Sequence, residues 1–226
     1  MDRDELLARV QGRLVVSCQA YPGESLRFPE AMRAMALSAV DGGAAAIRAQ
    51  GIDDLVAIRA AIEVPLIGLW KDGDDGVYIT PTIEHARAVA ATGSDMVAVD
   101  GTRRLRPDGH TLSETFAAVH RAGALVLADI GSFDDARAAV DAGADALATS
   151  LAGYTGERSR TVGPDLELIA EIAAHTEVPV FAEGRIRTPA EAAAALDAGA
   201  WAVVVGTAIT HPTTLTRNFV DAISPA

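Results

Sequence analysis

The sequence predicts a single-domain (β/α)8 (TIM) barrel with a short extra helix ahead of the first strand. Three observations carry this. A junction of glycine, small residue and aliphatic run recurs at Gly43-Ala44, Gly93-Ser94, Gly123-Ala124, Gly143-Ala144 and Gly199-Ala200. Glycine there suits the left-handed position just past a helix C-terminus. Eight short aliphatic runs alternate with helical patterns, as expected for a parallel sheet buried on both faces. Glu63-Val64-Pro65 and Glu177-Val178-Pro179 each open such a run about half the chain apart, a sign of a half-barrel repeat.

In chain order, residues 2–11 form the amphipathic extra helix. The eight strands are read at Leu14–Cys18, Ala45–Arg48, Leu66–Trp70, Met96–Asp100, Leu125–Asp129, Ala146–Thr149, Val180–Glu183 and Ala202–Gly206. Helices are read at Pro29–Val40, Thr82–Ala91, Phe133–Ala142 and Pro189–Ala198, the last started by Thr188 as N-cap with proline in the first turn. A doubly wound sheet is the alternative. It ordinarily has fewer strands, and neither G-x-G-x-x-G nor a Walker A pattern is present. The whole span 1–226 reads as one domain, with no linker or low-complexity tract.

Composition narrows the function. Half of the residues are hydrophobic and only 4% aromatic, so the core is aliphatic. A formal net charge of −12 argues against nonspecific binding to nucleic acid or anionic membranes. The single cysteine, Cys18, excludes an intramolecular disulfide and a cysteine-based zinc cluster, and reads as a buried thiol. The acidic start, Met1-Asp2-Arg3-Asp4-Glu5, is unlike a secretory signal, and no apolar run approaches the roughly 18 residues of a membrane span. A cytoplasmic protein is expected.

Barrel chemistry sits at the C-terminal ends of the strands. The residues there are Gln19, Arg48, Lys71, Asp100, Asp129, Ser150, Glu183 and Gly206-Thr207. Lys71 stands out further, because it is the only lysine in a chain with 18 arginines. Arginine supplies charge but does not lose its proton at workable pH. A buried lysine beside a cation such as Arg48 has its pKa lowered, and the neutral amine is then a base or a Schiff-base nucleophile. Glu183 fits a general acid/base, a partner for a substrate hydroxyl, or an ion pair with Lys71 or Arg185. The loops after strands seven and eight, Glu183-Gly184-Arg185-Ile186 and Val205-Gly206-Thr207-Ala208, place glycines where backbone N–H groups can approach a phosphate. No strand ends in histidine, so no metal site is expected.

These residues resemble the N-acetylmannosamine-6-phosphate 2-epimerase family from about Leu14 to Phe219. The carrying segments include Ser17-Cys18-Gln19, Ile67-Gly68-Leu69-Trp70-Lys71 with Val77-Tyr78-Ile79-Thr80-Pro81-Thr82, Arg106-Pro107-Asp108-Gly109, Gly153-Tyr154-Thr155 and Ala182-Glu183-Gly184-Arg185-Ile186. The resemblance implies an isomerase of amino-sugar and sialic acid catabolism. It would interconvert N-acetylmannosamine 6-phosphate and N-acetylglucosamine 6-phosphate by inversion at C2. It implies Lys71 and Glu183 as the catalytic pair, and Gln19, Arg48, Asp129 and Arg185 as substrate-binding groups. Gly184, Gly206 and Thr207 would hold the phosphate. No metal or organic cofactor is implied, the partner is a small phosphosugar, and homodimers are common. Three segments depart from the family pattern. His211-Pro212 stands where Arg-Pro is usual, which makes His211 the candidate phosphate contact. Ala152 replaces a usual serine, and Asp72–Gly76 is unusually acidic. A phosphosugar enzyme of another kind, such as a Schiff-base aldolase, and a non-catalytic phosphosugar-binding barrel are the alternatives.

Overall fold

The computed structural model describes residues 2–224. Met1, Pro225 and Ala226, included above in the acidic start and in the span 1–226, lie outside the described residues. Eight parallel strands close into a barrel in chain order: β1 Leu14–Cys18, β2 Ala46–Gln50, β3 Leu66–Leu69, β4 Met96–Asp100, β5 Leu125–Asp129, β6 Ala146–Ala148, β7 Val180–Glu183 and β8 Ala202–Val205. The helices are α1 Arg3–Val10, α2 Pro29–Asp41, α3 Ile52–Arg59, α4 Ile83–Ala91, α5 Leu112–Arg121, α6 Phe133–Asp141, α7 Leu166–His175, α8 Pro189–Asp197, α9 Thr207–Thr210 and α10 Pro212–Ile223. A 3-10 turn, Thr149–Leu151, follows β6.

The glycine junctions form as expected. Gly43, Gly93, Gly123, Gly143 and Gly199 all take φ between +82° and +101°, a region that favours glycine. The two Glu-Val-Pro copies also occupy equivalent places. Pro65 precedes β3 and its carbonyl accepts from Ile47 N–H at 3.0 Å. Pro179 precedes β7 and accepts from Leu147 N–H at 2.9 Å. Thr188 caps α8 with a reciprocal Glu191 capping box.

Strand alternation divides the apolar residues into two sets. Val16, Ile47, Val97, Val99, Val126 and Val203 pack outward against the helices. Val15, Ile67, Leu69, Met96, Leu127, Phe181 and Val204 fill the barrel interior together with Leu6, Leu7 and Val10 of α1. The extra helix therefore plugs the N-terminal end. Trp201 Nε1 donates to the Leu7 carbonyl at 2.9 Å, and Gly12 N–H to the Trp201 carbonyl at 2.7 Å. With that end closed by apolar packing, the polar inward positions gather at the other.

The third, sixth and eighth strands each end one residue earlier than expected, and the boundary shift with consequences is in the second. The second strand runs to Gln50 rather than ending at Arg48. Arg48 pairs in register with Ser17 and Ile67 and is nearly fully buried. Its charge mimics a strand terminus in the sequence. Alternation instead turns it into the barrel, where other strands supply counter-charges.

Candidate active site

A cavity of about 740 Å³ opens at the C-terminal face. It is lined by Gln19, Arg48, Lys71, Glu183, Gly184, Arg185, Gly206, Thr207 and His211 among the expected residues, and by Ser17, Tyr21, Tyr78, Ser150, Tyr154, Arg160 and Arg187 in addition. Asp129 is fully buried beneath it.

Arg48 ties the floor together. Its Nη2 donates to Asp129 Oδ2 at 2.7 Å and its Nη1 to Glu183 Oε1 at 2.6 Å. Ser150 Oγ donates to the other Asp129 oxygen at 2.6 Å. Burial alone would lower the Arg48 pKa, but Asp129 and Glu183 outweigh it and the pKa is raised. The guanidinium is thus a fixed positive charge. Asp129 is itself pushed upward by burial, against the pull of Arg48, the Ser150 hydrogen bond and Lys71.

Lys71 stands just past β3. The Val77–Thr80 segment folds back beside it, with an antiparallel bridge between Lys71 and Ile79. Thr80 closes this strap. Its hydroxyl accepts from Trp70 N–H at 3.2 Å and donates to the Ala98 carbonyl at 2.7 Å, while its own N–H reaches the Trp70 carbonyl at 2.8 Å. Thr80 does this at φ 47°, a strained conformation for a β-branched residue that is stable only when its surroundings fix it. The strap also brings Tyr78 to the cavity wall.

The Lys71 ammonium donates to Gln19 Oε1 at 2.8 Å, and Gln19 is itself oriented by donating to Ser17 Oγ at 2.8 Å. Lys71 makes no ion pair with Glu183 among the described contacts, because Arg48 engages that carboxylate. Burial and then Arg48 lower the lysine pKa to about 8, against the opposing pull of Glu183 and Asp129. Burial raises Glu183 to about 7, with Arg48 opposing and Asp129 adding to the rise. An amine and a carboxyl whose ordinary pKa values lie far apart both titrate near neutrality here.

The loop residues are arranged unevenly. Gly184 takes φ +110° and Arg185 φ 58°, so the chain turns sharply after β7 and presents its backbone to the cavity. The Arg185 guanidinium is held away from free use: Nε donates to the Gly163 carbonyl at 3.0 Å, Nη1 to the Ala152 carbonyl at 2.7 Å and Nη2 to Thr161 Oγ1 at 2.8 Å. Gly206 and Thr207 lead into the short α9, and a Cβ added at Gly206 would press on Ser17 at 3.3 Å. His211 is buried. Its ring lies 5.0 Å from that of Tyr21 and its Nδ1 lies 3.6 Å from Glu24 Oε1. Tyr21 in turn lies over the Lys71 ammonium, 5.6 Å from Nζ to the ring centroid. The loops after β1 and β8 thus meet over the lysine. No sequence pattern marked Tyr21, since an aromatic in a loop is read as surface.

A closed barrel with a depressed amine and an elevated carboxyl in one cavity has the makings of an acid–base enzyme. Comparison with known proteins narrows the class. The model of the family described as "Putative N-acetylmannosamine-6-phosphate epimerase" matches residues 32–225. A Cutibacterium acnes protein that carries the same description as a 2-epimerase is 54% identical over 97% of each chain. One from Caldanaerobacter subterraneus is 44% identical, covering 97% of this chain and 94% of the other. The solved N-acetylmannosamine-6-phosphate 2-epimerase from Clostridium perfringens superposes with a TM-score of 0.93 at 40% identity, covering 96% of each chain. A Pyrococcus furiosus thiamine phosphate pyrophosphorylase, at 18% identity and a TM-score of 0.63, shares the fold alone. The chain belongs to the N-acetylmannosamine-6-phosphate epimerase family.

Proposed function

We propose that this protein interconverts N-acetylmannosamine 6-phosphate and N-acetylglucosamine 6-phosphate by moving the proton at C2. The observation that carries the reading is one cavity that holds the Lys71 amine on Gln19 and the Glu183 carboxyl on Arg48, where burial pushes the amine down to about 8 and the carboxyl up to about 7. In the open-chain sugar, C2 lies next to the C1 aldehyde. Removing its proton gives an enolate whose negative charge falls on the C1 oxygen, and reprotonation from the opposite face inverts the centre. The neutral Lys71 amine takes that proton, and the planar enolate turns its other face to the resulting ammonium before the proton is returned. Protonated Glu183 shares its proton with the oxygen on which negative charge develops, and the Arg48 guanidinium stabilises the same charge. Gln19 orients the amine and contacts the sugar, and Asp129 acts on the sugar through Arg48. Glu183 Oε2 is buried with no hydrogen-bond partner among the described residues, a cost that a sugar hydroxyl would relieve.

The phosphate is assigned to the backbone around Gly184, Gly206 and Thr207, with His211 beside it. Arg185 fixes the wall of that subsite through the three loop oxygens it holds. The protein acts as a homodimer in this reading. Support comes from α10, which has no buried residue and leaves Phe219, Val220 and Ile223 exposed. No helix among the described residues is long and apolar enough to cross a membrane. A phosphorylated sugar is met inside cells, which supports a cytoplasmic setting.

The pH dependence tests the assignment. Activity needs Lys71 without its proton and Glu183 with one. The rate therefore rises as pH climbs towards the lysine pKa and falls as Glu183 ionises. The expected kcat/KM profile with N-acetylmannosamine 6-phosphate is a bell whose apparent limbs lie near 7 and 8. These limbs belong to the pair rather than to either residue alone. A rate that climbs steadily to the pH of an ordinary lysine, about 10.4, would exclude the lowered amine as the base.

A further inference from the structure

Thr149 and Ser150 are adjacent on the 3-10 turn after β6, and their hydroxyls reach the two acidic residues that Arg48 bridges. Ser150 Oγ donates to Asp129 Oδ1 at 2.6 Å. Thr149 Oγ1 accepts from Glu183 N–H at 3.1 Å and donates to the Glu183 carbonyl at 3.0 Å. With the two Arg48 bonds, the contacts form a closed loop: turn, Asp129, Arg48, Glu183, and back to the turn. Asp129 has no exposed surface, and the partners of its two oxygens are Ser150 and Arg48. Losing either leaves an oxygen of a buried carboxylate unpaired. The sequence places Ser150 at a strand end, but its partner lies 21 residues away on the neighbouring strand.

We propose that Ser150 is a positioning residue for the reaction: its hydroxyl anchors Asp129 and, through Asp129, fixes how Arg48 is shared with Glu183. The inference rests on the epimerase reading above. It gives a signature that a merely structural hydroxyl would not. The charges around Asp129 are Arg48 from β2, Lys71 from the end of β3, Asp100 from β4 and, across Arg48, Glu183 from β7. Tyr78, on the strap, has its pKa raised by burial and by Asp129 and stays a neutral phenol. Removing the Ser150 hydroxyl removes a bond that favours ionised Asp129, so this carboxyl takes up a proton more readily. A neutral Asp129 no longer raises Glu183 or Lys71. Both limbs of the pH profile then move to lower pH.

The test compares wild type, Ser150→Ala and Ser150→Thr for kcat, KM, pH profile and thermal midpoint. For Ser150→Ala we expect kcat to fall about tenfold or more, because small displacements of reacting groups are costly, with KM within about threefold. Both pH limbs should shift down. Ser150→Thr, which keeps the hydroxyl, should restore the limbs and bring kcat to within about threefold of wild type. The inference is overturned by an alanine variant within about twofold of wild type, by lost activity with unmoved limbs, or by a threonine variant as impaired as alanine. If wild type itself fails to convert the substrate, the epimerase reading falls and this inference falls with it. That result is distinct from any difference among the variants.

Discussion

Replacing Lys71 by arginine is expected to lower kcat about a thousandfold, within the range that a positioned proton-transfer group contributes. The substitution keeps the positive charge and much of the stem, so it separates charge from proton transfer. The Lys71 amine titrates at about 8 because burial and the neighbouring Arg48 penalise its charged form. Burial cannot bring a guanidinium to the same state, since arginine stays protonated throughout the workable range. The variant therefore places two permanent cations side by side and leaves no base. Phosphate and sugar contacts that do not involve the amine persist, so KM should change far less than kcat. Turnover of N-acetylmannosamine 6-phosphate by the folded variant checks this. A kcat within tenfold of wild type would remove Lys71 from the role of base.

Arg48→Leu should be the most destabilising single change in the site. The guanidinium is the shared partner of two buried carboxylates, at 2.7 Å from Asp129 and 2.6 Å from Glu183. Breaking a buried pair by removing one member typically costs about 3–5 kcal/mol, because the remaining charge is left uncompensated. For a chain of this size that corresponds to a fall of about 10 °C in thermal midpoint. The effect carries a pH sign. Without Arg48, both carboxyls are raised further above their unfolded values. The folded state then binds more protons than the unfolded state, so stability falls as pH rises. The window begins near the ordinary carboxylate value of about 4 and extends past the value of about 7 already reached by Glu183 in the intact site. The loss should therefore be small near pH 5 and large near pH 8, as read by thermal melts at the two pH values. Adding Asp129→Asn should recover part of it. A loss equal at both pH values would mean that packing, not charge, dominates.

Much of the fold is legible in the sequence because it is written in local, repeated physics. The five glycines after helices mark positive φ, and the aliphatic runs mark strands buried on both sides. Lys71 is legible because a lone lysine among arginines coincides with a strand end. What the sequence hides is whatever barrel closure creates. Arg48 and Asp129 lie 81 residues apart, and Arg48 and Glu183 lie 135 apart. Pattern alone leaves Glu183 equally able to pair with Lys71 or Arg185, and only the closed ring hands it to Arg48. The end of β2 is hidden for a related reason, because a charged residue inside a short strand looks like its end. Arg185 sits beside a glycine as a phosphate-loop arginine would, yet its guanidinium braces the loop after β6. His211 lines the same cavity, and its contact with the Tyr21 ring joins loops that the sequence holds about 190 residues apart.

Whether Lys71 moves the proton at C2 is read by proton NMR of the protein with N-acetylmannosamine 6-phosphate in D2O. The amine exchanges its protons with solvent, so a proton taken from carbon and returned from the amine is replaced by deuterium. N-acetylglucosamine 6-phosphate should form, the product should carry deuterium at C2, and both events should vanish together in Lys71→Arg. Product that keeps all of its C2 protium, or exchange that survives loss of the amine, would contradict that role for Lys71.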